Sequence, residues 1–238
     1  MANPPSLSAE AVKSWYNQHY AAKGLETMRP AEAYPMFLNL LETESGTRLL
    51  DVSCGAGSLL AAAEDIGMHA VGVDLSDEAV RLAKRVAPKA RVAVGAGEAL
   101  AFKNGTFDYV SCLGSLEHFL DMGRGLEEMK RVAKPNARFC IMVPNEDFIG
   151  WKVIGRQGTA QQDINENLQT LTAWRRLFAA HGLEVLRVVP DRWHAVRWRM
   201  RRGGSPLRFV LGPLLEAAWR LIPLRWQYQF VFVLGFAR

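Results

Sequence analysis

Short apolar runs bounded by turn residues recur along the chain at 48–53 (RLLDVS), 70–74 (AVGVD), 90–95 (ARVAVG), 107–112 (FDYVSC), 138–143 (RFCIMV), 183–189 (LEVLRVV) and 228–234 (YQFVFVL). Their length and boundaries predict strands. Runs such as CIMV are apolar at consecutive positions, so these strands should be covered on both faces. Between them lie helical patterns. Residues 58–66 are rich in Ala and Leu, with Ser58 placed to cap, and 76–86 open Ser-Asp-Glu, with acids at the positive end of the helix dipole. In 123–134, Leu126, Met129, Arg131 and Val132 fall at helical spacing and Pro135 stops the pattern. Residues 171–181 end at Gly182, a C′ glycine.

Strands alternating with helices over the first 145 residues predict an α/β, doubly wound, mostly parallel sheet. Three pieces lie outside that core: an N-terminal helical region (7–41), an insert (144–170) and a basic stretch (190–226). None reads as a separate domain. The chain is therefore a single domain over 1–238: an N-terminal helical piece to 44, a core over 45–189, an insertion over 190–226 and a last strand over 227–238.

Charge divides the chain more sharply than its net +5 suggests. Residues 187–225 carry nine Arg, no Lys and two acids (Asp191, Glu216), a local +7, whereas 1–186 carry 19 basic and 22 acidic residues. A basic binding face spread over the whole molecule is excluded. Cys54, Cys112 and Cys140 lie in apolar runs without ligand spacing, which argues for a reducing compartment and against a metal site. No apolar run reaches the roughly 18–20 residues that span a bilayer. With no signal-peptide layout in 1–20, the expected location is cytoplasmic.

The most informative stretch is LLDVSCGAGSLL, 49–60. A buried strand runs into Gly55-Ala56-Gly57 and a helix begins at once, the arrangement that lets a ligand approach backbone beyond a strand's carboxyl end. Asp74 ends the next strand 23 residues after Asp51, where an acid binds a ribose diol. A dinucleotide fingerprint needs a third glycine where this chain has Leu60, so a diphosphate fits poorly. A nucleoside with a short zwitterionic extension fits better.

With these features in place, residues 45–145 resemble the class I S-adenosylmethionine-dependent methyltransferases, of the small-molecule and quinone type (methyltransferase type 11-like). LLDVSCGAG, AVGVDLSDEAV, GEALAFKNGTFDYVSCLGSLEHF and EEMKRVAKPNARFCIMVPN resemble the successive motifs. The resemblance implies a Rossmann-like seven-stranded sheet with an antiparallel last strand, and S-adenosyl-L-methionine as cofactor. By position it implies that Asp51, Ser53, Gly55 and Gly57 line the methionine end, that Asp74 with Leu75 holds the ribose, and that Gly97, Glu98 and Ala99 border the adenine. Leu113, Gly114 and Ser115 would lie beneath the sulfonium, and Tyr16 and Tyr20 would belong to an N-terminal helix closing over the cofactor. Three positions depart from the pattern: Ser53 stands for a glycine, Ala96 for an Asp that often receives the adenine amino group, and Ala101 for a proline. Ser53 is small, so it should be tolerated.

Methyl transfer needs a base only where the acceptor is a poorly acidic hydroxyl or carbon acid. His118, in the turn Ser115–Phe119, is the best-placed base, and Glu117 reads as structural. His19 reads as packing, and Glu146 and Asp147 as a solvated loop. Cys-Leu-Gly-Ser stands where adenine and amide methyltransferases carry Asp/Asn-Pro-Pro-aromatic, so the expected acceptor is a small or lipid-linked molecule methylated on oxygen or carbon. Residues 190–226 combine eight arginines with Trp193, Trp198, Trp219 and Trp226. That composition suits an insertion packed on the domain, a surface for anionic membrane, or single-stranded nucleic acid. An RNA methyltransferase docking through this stretch, and a cofactor-binding protein without catalysis, are the competing readings.

Overall fold

The computed structural model describes residues 8–27, 29–151, 164–191 and 221–237. Helix α1 (Ala9–Lys23) starts on Ser8, whose hydroxyl accepts from the Ala11 amide. Short helical turns at Gly24–Thr27 and Ala31–Ala33 lead to α2 (Pro35–Leu41), with proline at the first position where its missing N–H costs nothing. Strand β1 (Arg48–Val52), α3 (Ser58–Asp65), β2 (His69–Asp74), α4 (Asp77–Val86) and β3 (Arg91–Val94) follow. Then come β4 (Phe107–Leu113), α5 (Met122–Val132), β5 (Ala133–Pro144), α6 (Leu171–Ala180), β6 (Leu183–Pro190) and β7 (Gln229–Phe236).

The seven strands form one sheet in the order β3-β2-β1-β4-β5-β7-β6, with β7 antiparallel to both neighbours. Period-2 alternation sorts the core. Leu50, Val110, Phe139, Ile141, Phe230 and Phe232 face α5 and α6, while Leu49, Cys140, Met142, Val231 and Val233 face α2 and α3. Trp174 of α6 is fully buried on the first face and satisfies its indole N–H on the Pro144 carbonyl at 3.0 Å.

Two local expectations change. Ser58 does not cap α3; it is the first helical residue, and the cap position belongs to Gly57 in a left-handed conformation. Helix α5 ends at Val132, two residues earlier than the pattern suggested. The residue before Pro135 cannot stay helical, and Pro135 lies inside β5, at an irregularity in its pairing with β4. Gly182 does follow the α6 cap with φ +67°. All three cysteines are buried and unbridged.

Candidate cofactor and methyl-transfer site

The chain leaves β1 and β4 in opposite directions, which opens a crevice beyond their carboxyl ends. The turn after β1 is unusually left-handed: Ser53, Gly55 and Gly57 have φ of +59°, +53° and +83°. This conformation explains why a glycine is the common residue at position 53, where side-chain size is not the issue. The turn is tied to β2 by Cys54 N–H to the Val73 carbonyl and by Gly55 N–H to Asp74 Oδ2 at 2.8 Å. Asp74 Oδ1 accepts from the Ser76 amide at 2.9 Å. Burial pushes the Asp74 carboxyl up to about 6, against the lowering effect of those two amides.

Helix α1 lies across the mouth of the crevice. Its Asn17 Oδ1 accepts from the Ser76 hydroxyl at 2.7 Å and the Glu78 amide at 3.3 Å, and Lys13 pairs with Asp77. Tyr16 and Tyr20, one turn apart, therefore point into the cleft with Ala9 and Val12. Burial raises both phenols far above their ordinary range, so they stay neutral hydrogen-bonding groups.

The cleft is completed by Ser53, Asp74 and Leu75 from the first two strands, Gly97 and Glu98 after β3, and Ser115 and His118 after β4. These expected residues are brought together. Others are placed elsewhere. Asp51 is buried behind the turn, accepting from the Ser111 hydroxyl at 2.7 Å, with burial pushing it up to about 7. Gly55 contributes its amide to Asp74. Gly57 serves helix packing, since a Cβ there would come within 2.9 Å of Ala83 Cβ. Ala99 is exposed, and Leu113 packs on the α2–α3 side of the sheet. His19 stacks on Trp15 outside the lining, and Glu146 and Asp147 are exposed.

Sequence reasoning missed Phe119, whose ring lies over Gly97 and Gly125; a Cβ at either would meet it at 2.3–2.4 Å. It also missed Ala9 and Val12. The helical spacing that joins them to Tyr16 and Tyr20 was the available signal.

His118 is buried, and its Nδ1 lies 3.1 Å from the Ile164 carbonyl. A carbonyl only accepts, so Nδ1 carries a proton and donates it. Glu117 beside it is also buried, with Oε1 3.9 Å from His118 Nε2 and Oε2 without a hydrogen-bond partner. Burial pushes its carboxyl up to about 8.

Among the described residues the cleft lining contains no Lys or Arg, while Asp74 and Glu98 line it and Asp51 and Glu117 stand behind. That surround suits a cofactor with a positive centre and a ribose, and repels a pyrophosphate. S-adenosylmethionine fits on these grounds. Asp74 would take the ribose hydroxyls and the carboxylates would favour the sulfonium.

Comparison with known proteins agrees. The methyltransferase-domain family model matches residues 17–188. The chain is 25% identical over 185 residues to the uncharacterised methyltransferase YcgJ of Bacillus subtilis, covering 72% of this chain and 71% of that one. It is 24% identical over 200 residues to a ubiquinone biosynthesis O-methyltransferase of Xylella fastidiosa, covering 78% and 80%. The geranyl diphosphate C-methyltransferase of Streptomyces coelicolor, solved with magnesium, geranyl diphosphate and S-adenosylhomocysteine, shares the fold with a TM-score of 0.68. It is 17% identical, and the match covers 98% of this chain and all of that one. The chain belongs to the methyltransferase-domain family and is a class I S-adenosylmethionine-dependent methyltransferase.

Proposed function

We propose that this enzyme methylates an oxygen or carbon of a small, largely apolar acceptor, free or lipid-linked. The observation that carries the reading is the aromatic nest beyond β5 and β7. Phe148, Trp151 and Tyr228 meet edge to face at 5.1–5.6 Å, and Phe148 and Trp151 are buried. The Trp151 indole N–H is already satisfied by the Asn145 carbonyl at 2.9 Å, so its ring is free to serve as apolar wall. Burial pushes the Tyr228 phenol up, and the Glu166 and Glu117 charges add to it, so the nest lies within electrostatic reach of the His118 turn. Ring walls of this kind suit a planar or prenylated molecule far better than a phosphate backbone.

The bound cofactor supplies an activated methyl group for in-line displacement. The residues of this chain do the remainder. Asp74, Ser53 and the residues after β3 fix the cofactor's position, and α1 excludes water. His118, held by Ile164, presents Nε2 to an acceptor hydroxyl and orients it. Alignment of this kind is the larger part of such catalysis.

A lipid-linked acceptor brings the enzyme to an anionic surface through residues 190–226. Most of that stretch, including Trp193, Trp198 and Trp219, lies outside the described residues. Within them, Arg225 stacks over Trp226 at 4.4 Å and Leu221 is exposed. No helix among the described residues is long and apolar enough to cross a membrane.

The test is transfer of labelled methyl from S-adenosylmethionine into fractionated cell extract. Label in the organic-soluble phase is the expected result. Label confined to nucleic acid, or to protein, overturns the reading. Flotation with anionic vesicles at low salt checks the surface component; no enrichment removes it.

A further inference from the structure

Glu117 is the buried group whose environment the fold leaves unfinished. It lies on the short helical turn Leu116–His118, beyond β4 and beside cleft residues Ser115 and His118. Its side chain is 2% exposed, yet Oε2 meets no donor among the described residues. An ionised carboxylate in such a place is costly unless a positive charge compensates it. Among the described residues, the groups acting on it from neighbouring elements supply none. Tyr16 comes from α1, Cys112 from β4, Glu166 from the segment before α6 and Tyr228 from just before β7, and each is neutral or acidic. His118, on the same turn, donates Nδ1–H to a carbonyl, and its Nε2 lies 3.9 Å from Oε1, beyond hydrogen-bond reach. The Glu117 side chain is therefore protonated when the cleft holds only water.

We propose that Glu117 is the proton store of the methyl-transfer site: it releases a proton when the positively charged cofactor binds, and takes the acceptor's proton as that charge disappears. The inference rests on the proposed acceptor chemistry only in its second half. A sulfonium entering the cleft is the missing counter-charge, and it favours the carboxylate form by Coulomb attraction in a poorly screened setting. Glu117 Oε2 then holds the lone pair that the acceptor's proton needs. As the acceptor's electron pair closes on the methyl carbon, the carbon–sulfur pair stays on sulfur as a neutral thioether, and the acceptor's proton goes to the Glu117 carboxylate behind the cleft wall. Charge balances without any external base: one positive and one negative charge vanish together. This reverses the sequence reading, in which Glu117 was structural and His118 the base. His118 becomes the orienting group.

S-adenosylmethionine and S-adenosylhomocysteine separate the effect cleanly, because they share ribose, adenine and amino acid and differ only in the methyl group and its charge. Calorimetric titration of each at pH 7, in two buffers of different ionisation enthalpy, counts protons. We expect the methylated cofactor to release about half a proton to one proton more than the demethylated one. Acids bind cations more tightly once ionised. The preference for S-adenosylmethionine should therefore rise between pH 6 and 8, by about tenfold. Glu117→Gln should remove most of both differences, while Asp51→Asn should keep most of them. Equal proton release by the two ligands, or an excess undiminished in Glu117→Gln, overturns the proposal. Binding of neither ligand instead overturns the cofactor site itself. If Glu117→Gln does not fold, infrared difference spectra of the wild type decide. The carbonyl band of a neutral buried carboxyl should vanish with S-adenosylmethionine and persist with S-adenosylhomocysteine; a band indifferent to which ligand is bound overturns the proposal.

Discussion

Asp74 Oδ2 accepts the Gly55 amide at 2.8 Å, so the carboxylate that ends β2 also fixes the turn that ends β1. Asp74 is part of the cleft lining, and with Ser76 N–H on Oδ1 each oxygen keeps a further lone pair. A ribose diol can occupy both. Asp74→Asn replaces one acceptor by an NH2 that confronts an amide donor. Affinity for S-adenosylmethionine and S-adenosylhomocysteine should fall together, by roughly 10- to 100-fold, as expected for losing a charged acceptor. Titration calorimetry checks this. A change within about threefold for both ligands takes Asp74 out of ribose binding.

Three buried carboxyls give stability an inverted pH dependence. Burial raises Asp51 to about 7, Asp74 to about 6 and Glu117 to about 8. Each folded group thus binds its proton more tightly than the unfolded chain does. Between about pH 4.5 and 8 the folded state holds more protons, so stability falls as pH rises. Below that window the surface carboxylates lowered by Lys134, Arg131 and His181 are protonated, and stability falls again. Melting without ligand should therefore peak near pH 5. Saturating S-adenosylmethionine should flatten the alkaline side. A ligand-free melting temperature that climbs from pH 5 to 8 contradicts this account.

The seven strands were legible because their residues are apolar on alternate sides in both directions; Cys140 and Met142 face one layer, Phe139, Ile141 and Val143 the other. Asp74 and the glycine turn were legible for a related reason, since a charge and a flexible backbone are out of place at strand ends unless something binds there. Glu117 was not. Its meaning lies in what fails to surround it, and Glu166 and Tyr228, which press on it, come from positions 49 and 111 residues further along the chain. Gly57 was misread for a similar cause, because its requirement is set by Ala83 on another helix.

Ser53 offers a direct measure of backbone strain. Its φ of +59° is a left-handed conformation that costs an L-residue roughly 1–2 kcal/mol, and its position at the cleft rim gives no compensating cap. Ser53→Gly should raise stability by about 1 kcal/mol in urea unfolding, partly offset by glycine's greater freedom in the unfolded chain. Unchanged or lower stability would mean that the hydroxyl contributes more than the strain removes.

Helix α1 buries Val12 fully and Tyr16 and Tyr20 in part, so much of its hold on the domain depends on polar contacts with α4. Asn17 is the centre of these, with Oδ1 on the Ser76 hydroxyl and the Glu78 amide and Nδ2 on Asp77. The exposed Lys13–Asp77 pair adds little. Asn17→Ala removes both acceptor contacts, while Ser76 keeps its own role as cap of α4 through the Ala79 amide. Global stability should therefore fall by only about 1 kcal/mol. Amide exchange over 9–23 should speed up selectively, because a helix with so little buried surface opens by itself. Tyr16 and Tyr20 travel with it, so cofactor affinity should drop by roughly fivefold or more through a faster off-rate, with the on-rate nearly unchanged. Stopped-flow binding separates the two rates. A slower on-rate with an unaltered off-rate would show that α1 shapes the entrance to the cleft and does not hold it closed.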